Sequence, residues 1–184
     1  MTTTTIAEPR AWIGCLACYN SGRLVGRWYP VTDCDEVDLA SVHRGSGVHW
    51  KRAGCEELWV MDTDGLPVDT EMSPHDAAAW GEVFTEAGEQ WPAVAAWVRS
   101  GAYVAEGNSD LPSLSDFEDR YKGAWPSFRD YAVELAEDLC LFEGLSEDSD
   151  LVTYFDWDSW IRDLGLGYTV VDAPEYAVYV FSDN

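Results

Sequence analysis

The spacing of the carboxylate side chains in this sequence indicates what these groups could do chemically. On a helix predicted over residues 127–143, a turn of about 100° per residue places four acids within about 100° of one another: Asp130, Glu134, Glu137 and Asp138. They span nine residues, a rise of about 12 Å, so one negative charge recurs about every 3 Å. One strand of B-DNA carries a phosphate charge about every 3.4 Å. The row therefore has the charge density needed to imitate phosphates.

Further acids flank this helix, and only four basic residues lie between them: Arg120, Lys122, Arg129 and Arg162. Like charges at i,i+4 spacing each destabilise a helix by about 0.2–0.5 kcal/mol, which favours a function for the negative field. Charge alone leaves open a solvated acidic face that serves solubility. The predicted acidic surface consists of Asp116, Glu118, Asp119, Asp130, Glu134, Glu137, Asp138, Glu143, Glu147, Asp148, Asp150, Asp156, Asp158 and Asp163.

The composition of the whole chain limits its partners. Its 184 residues include 34 acids and 11 Lys and Arg, giving a formal net charge of −23. Nucleic acid and anionic membranes are excluded as direct partners, because both are bound through Lys and Arg. Residues 1–61 hold 7 acids and 6 bases, whereas residues 62–184 hold 27 acids and 5 bases. General adaptation to salt would spread acids over the whole surface, so this division favours a localised acidic region.

Cysteine and histidine offer a second chemistry, that of metal binding or redox. Cys15 and Cys18 form a C-x-x-C pair, and Cys34, His43 and Cys55 follow. The pair falls in a predicted strand, where side chains three positions apart point to opposite faces, whereas a zinc knuckle needs its cysteines in a turn. A second C-x-x-C pair is also absent. We therefore predict no metal ligands and a structural role, with zinc and redox chemistry as the alternatives.

Catalysis is not indicated, because an active site needs a nucleophile, a base and an orienting group. His43 and His49 lie in a glycine-rich segment, and His75 is expected in the first turn of a helix. A pair such as Asp156 and Asp158 could transfer protons, but 34 acids bring some pair together by chance. We expect a protein that is not an enzyme and has neither catalytic residues nor a cofactor.

The elements that position the acids predict an α+β fold. Residues 10–65 are expected to form a small α/β domain of β-β-α-β order. Its strand 11–16 pairs with 24–29, Asp33 caps a helix reaching about residue 44, and residues 57–61 form the third strand. Residues 66–106 are expected to form a helical domain, in which Ser73-Pro74 opens a helix to about Gly88 and a second helix covers residues 91–100.

Residues 107–184 are expected to form an α+β domain that carries the acidic helix. Ser113 caps a short helix that Gly123 and Pro126 break, and Gly144 ends helix 127–143. A further helix covers 153–164, and strands 167–172 and 176–181 form a closing hairpin. The buried stripe predicted for helix 127–143 consists of Phe128, Tyr131, Ala132, Leu135, Leu139 and Phe142.

Three stretches of sequence, occurring in order between residues 11 and 181, resemble the ArdA-type antirestriction proteins. The first is YNSGRLVGRW at 19–28, and the second is FEDRYKG at 117–123 followed by YAVELAED at 131–138. The third is YFDWDSWIRDL at 154–164. Cys15, Cys18 and the segment 41–55 lie outside the family pattern.

The resemblance implies three small domains in a row, in an elongated homodimer that mimics bent B-DNA. It implies a type I restriction–modification enzyme as the partner, bound through its DNA-binding groove, and dimerisation through the last domain. Such proteins travel on mobile genetic elements and need neither catalysis nor a cofactor. Two chains of charge −23 match about 78 Å of duplex at one charge per about 1.7 Å. The alternative is an acidic protein that binds another basic, DNA-binding partner.

The start of the chain gives an expectation about the compartment. Residues 1–9 are rich in Thr and lack the basic start and apolar core of a secretory signal. Five cysteines, an odd number, suit free thiols in a reducing compartment. We expect a cytoplasmic protein.

Overall fold

The computed structural model describes residues 6–107, 109–146 and 148–184. Helices make up 44% and strands 22%, which confirms the predicted α+β class. The strands are β1 (Arg10–Cys15), β2 (Gly26–Pro30), β3 (Leu58–Asp64), β4 (Tyr121–Trp125), β5 (Tyr168–Ala173) and β6 (Ala177–Ser182). The helices are α1 (Leu16–Asn20), α2 (Leu39–His43), α3 (Pro74–Ala87), α4 (Trp91–Ser100), α5 (Leu114–Arg120), α6 (Phe128–Asp138), α7 (Asp150–Thr153) and α8 (Trp157–Leu164).

The first sheet has the order β2-β1-β3, and both of its pairings are antiparallel. Ala11 and Ile13 are fully buried, because alternate residues of the central strand face the core. The predicted pairing of the first two strands is confirmed, with Trp12 opposite Trp28. The prediction that Cys18 lies in a strand is wrong, because β1 ends at Cys15 and the chain turns at once into α1.

The prediction that a helix starts at Asp33 is wrong, because the α-helix starts later in the chain. Residues Val31–Glu36 form a 3₁₀ helix, and α2 begins only after Asp38. The Asp38 carboxylate accepts a hydrogen bond from the backbone N–H of Ser41 at 2.7 Å, while the Ser41 hydroxyl accepts one from the N–H of Asp38 at 3.2 Å. This reciprocal capping box satisfies two N–H groups and fixes the start of α2.

The predicted pair of central helices is confirmed as α3 and α4. The Ser73 hydroxyl accepts a hydrogen bond from the backbone N–H of Asp76 at 3.1 Å, and Pro74 is the first helical residue. Proline suits this position because its missing N–H would have no partner within the helix. Helix α3 packs against the 3₁₀ helix of residues 31–36, with Gly81 at the closest approach.

Replacing Gly81 by alanine is expected to lower the free energy of unfolding by about 1–3 kcal/mol, the usual range for overpacking. A Cβ atom at this position would lie 2.8 Å from backbone atoms of Val31 and Thr32, and backbone cannot swing aside as a side chain can. Urea unfolding measures the change. The matched control is Gly167→Ala, whose Cβ would meet nothing within 4 Å; equal losses in both variants would contradict the close contact.

A continuous hydrophobic core extends from Ala11 in the first sheet, through α3 and α4, to Phe181 in β6. Trp97 of α4 is 1% exposed, and its ring centroid lies 5.8 Å from that of Phe117 and 6.1 Å from that of Phe181. The helical pair therefore shares its core with both neighbouring regions. The division at residues 10–65, 66–106 and 107–184 stays a prediction.

The last third contains the second sheet, ordered β4-β6-β5 and antiparallel throughout. Its β5–β6 hairpin confirms the predicted closing hairpin, whereas β4 occupies residues where a break was predicted. Helix α6 ends at residue 138 instead of 143, and Leu139 is 63% exposed, so its place in the buried stripe was wrong. The helix predicted over 153–164 begins later, at Trp157, because Asp156 caps α8 by accepting from the N–H of Ser159 at 3.0 Å, and Thr153 is instead the last residue of α7.

None of the helices in the described part of the chain is long and apolar enough to cross a bilayer.

Candidate functional site

The predicted acidic surface lies largely in solvent. Of its 14 residues, Glu147 lies outside the described residues, Asp116 is half-buried, and the other twelve are exposed. The exposed members are Glu118, Asp119, Asp130, Glu134, Glu137, Asp138, Glu143, Asp148, Asp150, Asp156, Asp158 and Asp163. We use the name acidic surface for these twelve residues and Asp116.

Helix α6 separates its acids from its apolar side chains. Tyr131, Ala132 and Ala136 are buried, and the four acids of the row are exposed. Ser127 caps the helix by accepting from the backbone N–H of Asp130 at 3.2 Å. An acid in the first turn also faces the positive end of the helix dipole, which stabilises that end. The helix thus presents carboxylates along one face while the other is held by the core.

Few cations compensate these carboxylates. Among the described residues, two members of the acidic surface form ion pairs: Asp158 with Arg129 at 2.7 Å and Asp163 with Arg162 at 3.0 Å. The other two bases of the region bind main-chain oxygens, since Arg120 donates to the carbonyl of Ser182 and Lys122 to that of Asp119. Most of the negative charge of this surface therefore remains uncompensated.

The ion pair between Arg129 and Asp158 joins the first turn of α6 to the first turn of α8. Hydrogen bonds from the backbone N–H and hydroxyl of Ser159 hold the pKa of the Asp156 carboxyl below its usual range. This group stays ionised at the start of α8, where negative charge is favourable. The sequence could not reveal the pairing of α6 with α8, because the two residues are 29 positions apart.

An aromatic cluster supports the segment that follows α6. The ring centroid of Phe142 lies 5.1 Å from that of Phe155 and 5.7 Å from that of Trp157. Trp157 in turn meets Trp160 edge-to-face at 5.8 Å. Aromatic pairs with this geometry stabilise by about 0.5–1.5 kcal/mol beyond their burial. The cluster therefore positions Glu143 and its neighbours close to α8.

Large apolar side chains are exposed in the same region of the chain. They are Leu139, Leu141, Leu145, Leu151, Tyr154, Leu166 and Val170. Before residue 139, the exposed large apolar side chains among the described residues are Tyr19, Leu24 and Trp28. These seven side chains all lie between residues 139 and 170, and exposed apolar residues that form a contiguous patch are typical of protein–protein interfaces.

A buried group of cysteine and histidine side chains lies at the first sheet, away from the acidic surface in sequence. The ligand atoms of Cys15, Cys18, His43 and Cys55 all lie within 4.8 Å of one another. The prediction that Cys15 and Cys18 point apart is wrong, because α1 turns Cys18 back towards the end of β1. Burial raises the pKa of the Cys55 thiol to about 12. The C-x-x-C spacing was the sequence signal for this group.

A comparison with protein-family models gives one finding on identity. The model described as antirestriction protein (ArdA) matches residues 11–177 of this chain. This range includes the three stretches whose resemblance to that family was noted from the sequence, and also the whole acidic surface. No curated protein matches the chain in a direct search.

Proposed function

This chain belongs to the ArdA family of antirestriction proteins, and from that premise we propose that it mimics B-DNA and occupies the DNA-binding groove of type I restriction–modification enzymes. Binding, and not catalysis, is then its mode of action. The partner contributes Lys and Arg side chains that otherwise neutralise the phosphates of DNA. The inhibitor contributes carboxylates in place of those phosphates.

The uncompensated acidic surface is the observation that carries this proposal. Twelve of its carboxylates are exposed, and two of them are paired with Arg among the described residues. A field of one sign attracts a basic groove over long distances and accelerates association at low ionic strength. Affinity spread over many weak contacts also tolerates the loss of any one of them. Both properties suit an inhibitor that competes with a polyanion.

The surface area of the chain supports an extended shape. The chain exposes 11623 Å² of surface, whereas a compact monomer of this mass exposes about 8,900 Å². Extension separates like charges and so lowers their repulsion. It also suits a body that lies along a groove made for duplex DNA, and we propose three domains in a row at 10–65, 66–106 and 107–184.

Competition with DNA tests the proposal. The protein is mixed with the DNA-binding core of a type I restriction–modification enzyme, and duplex containing the recognition site is then added. We expect a complex that the duplex displaces and that weakens as salt rises, because screening acts on exposed charges. A basic protein without DNA-binding activity is the control and should form no complex. Absence of a complex, or a complex that retains DNA, would contradict mimicry.

We further propose a homodimer formed through the last domain, where the exposed apolar side chains concentrate. Replacing Leu151 and Tyr154, which are 68% and 80% exposed, by Glu is expected to raise the dimer dissociation constant more than 100-fold. In a twofold interface each substitution acts twice. Light scattering coupled to gel filtration measures the mass. The control Leu24→Glu changes an apolar residue that is 75% exposed in the first region and should leave the mass unchanged; monomerisation by both changes would refute the assignment.

A further inference from the structure

We propose that Cys15, Cys18, His43 and Cys55 bind one structural zinc ion. This site is separate from the acidic surface, and it does not depend on the proposed inhibition of restriction enzymes. All four side chains are buried, each at most 5% exposed, and their ligand atoms lie within 4.8 Å of one another. Three thiolates and one imidazole form one of the common ligand sets of structural zinc.

The distances between the ligand atoms agree with tetrahedral zinc. With Zn–S bonds of about 2.3 Å and a Zn–N bond of about 2.05 Å at tetrahedral angles, two sulfurs are separated by about 3.8 Å and a sulfur and a nitrogen by about 3.6 Å. The Sγ atoms of Cys18 and Cys55 lie 3.8 Å apart. The Sγ atom of Cys18 and the Nε2 atom of His43 lie 3.6 Å apart. Two edges of the tetrahedron are therefore already formed by the protein.

The histidine is oriented as a zinc ligand requires. The Nδ1 atom of His43 lies 2.7 Å from the carbonyl oxygen of Leu39, so Nδ1–H donates to that oxygen and Nε2 keeps its lone pair. Nε2 faces the thiols. A hydrogen bond from the second ring nitrogen to a carbonyl is the usual support of metal-binding histidines. A histidine that only filled the core would need no cluster of thiols around Nε2.

The four ligands come from four different segments, so a metal would connect them. Cys15 ends β1, Cys18 lies in α1, His43 ends α2, and Cys55 precedes β3. In the segment 44–57 that carries Cys55, only Cys55 is fully buried, whereas Val48 and Trp50 pack against the core while partly exposed. The segment also includes glycines with positive φ at 45, 47 and 54. An ion bound by Cys55 would fix the end of this segment to the sheet and add to the partial apolar contacts of Val48 and Trp50. Such coupling of metal binding to folding is typical of small zinc domains.

The main rival is a disulfide between Cys18 and Cys55. Their sulfurs are 3.8 Å apart, whereas a disulfide bond measures about 2.05 Å, and both cysteines are free. A disulfide would also leave Cys15 and His43 without a shared role. Zinc uses all four groups and releases the protons of the three thiols as it binds. Four protein ligands leave no open position for substrate, which indicates a structural and not a catalytic ion.

The metal content of the full chain, purified under reducing conditions, tests the proposal. We expect elemental mass spectrometry to find one zinc per chain, bound with an apparent dissociation constant between about 10⁻⁷ and 10⁻¹² M at neutral pH. Cobalt exchanged for zinc should give the visible absorption of tetrahedral cobalt with thiolate ligands. The site would be overturned if the purified protein contained no metal, bound none when titrated with zinc or cobalt, and showed no such absorption. A Cys18–Cys55 disulfide in the native protein would also overturn it.

Variants separate zinc binding from other roles of these cysteines. Cys18→Ser and His43→Gln are expected to lose stoichiometric zinc, whereas Cys140→Ser, which changes an exposed cysteine, should retain it. Because the ligand variants could unfold, the wild-type chain gives a second measurement. Removing zinc with a chelator is expected to lower its thermal midpoint, and adding zinc back should restore it. An unchanged midpoint together with zinc retained by Cys18→Ser would refute the proposal.

Discussion

Replacing six exposed carboxylates of the acidic surface by amides is expected to weaken binding to a type I restriction–modification enzyme by about 150-fold. The six residues are Glu118, Asp119, Glu134, Glu137, Asp138 and Glu143. None of them caps a helix or forms an ion pair among the described residues, so the change acts on charge and not on fold. If an exposed charge pair contributes about 0.5 kcal/mol, six contribute about 3 kcal/mol, which is about 150-fold in affinity.

Single replacements distinguish a distributed surface from a single anchor. Glu134→Gln or Asp138→Asn alone is expected to weaken binding less than about threefold, in keeping with one exposed pair. Titration of the enzyme core with each variant at fixed ionic strength measures the affinity. A single variant that abolished inhibition while the fold and the mass stayed unchanged would contradict the distributed surface.

A matched control separates local charge from net charge. Six exposed acids of the first region are replaced by amides as the control: Glu8, Asp33, Asp35, Glu36, Glu56 and Glu57. Two of them have side-chain partners, since Asp35 lies 3.2 Å from His75 and Glu8 accepts a hydrogen bond from the Thr32 hydroxyl, so the fold of this variant is checked by circular dichroism. Both sextuple variants lose six negative charges, but only the first loses them from the acidic surface. If the two variants weakened binding equally, net charge alone would account for the affinity. If neither variant weakened binding, an acidic face that serves solubility would be the better interpretation.

The row of acids on α6 could be predicted from the sequence because it depends on local geometry alone. A turn of about 100° per residue fixes which side chains share a face, and the buried Tyr131 and Ala132 match that calculation. The end of the helix could not be predicted in this way. Cys140 adopts a positive φ of 52°, which a non-glycine residue adopts rarely, and residues 139–144 therefore leave the helical phase.

In the first region, tertiary structure decides where the side chains lie, and the local sequence pattern does not. The run from Cys15 to Cys18 is apolar and short, and such a run is compatible with either a strand or a helix. Only the packed structure shows that α1 follows β1 directly and brings Cys18 towards His43. Cys55 is 37 positions from Cys18, so its arrival there depends on how the segment 44–57 folds back. Spacing in the sequence could suggest the ligands but not their convergence.

Replacing Trp97 by alanine is expected to lower the free energy of unfolding by about 4 kcal/mol, the range for removing a buried aromatic side chain. Its ring contacts those of Tyr103, Phe117 and Phe181, and a cavity at this point would loosen the helical pair from the second sheet. The loss would be a large part of the stability of about 5–15 kcal/mol that folded proteins have. Urea unfolding measures it, with Trp28→Ala as the control.

Trp28 is 37% exposed, so its removal should cost less than about 2 kcal/mol because less surface leaves water on folding. The same experiment tests the proposed division into three domains. If the shared core makes the chain one cooperative unit, the Trp97 variant will unfold in a single transition shifted to lower urea, seen equally by circular dichroism and fluorescence. If the first sheet folds as an independent unit, its transition will stay where it is in the wild type while only the transition of the acid-bearing region shifts.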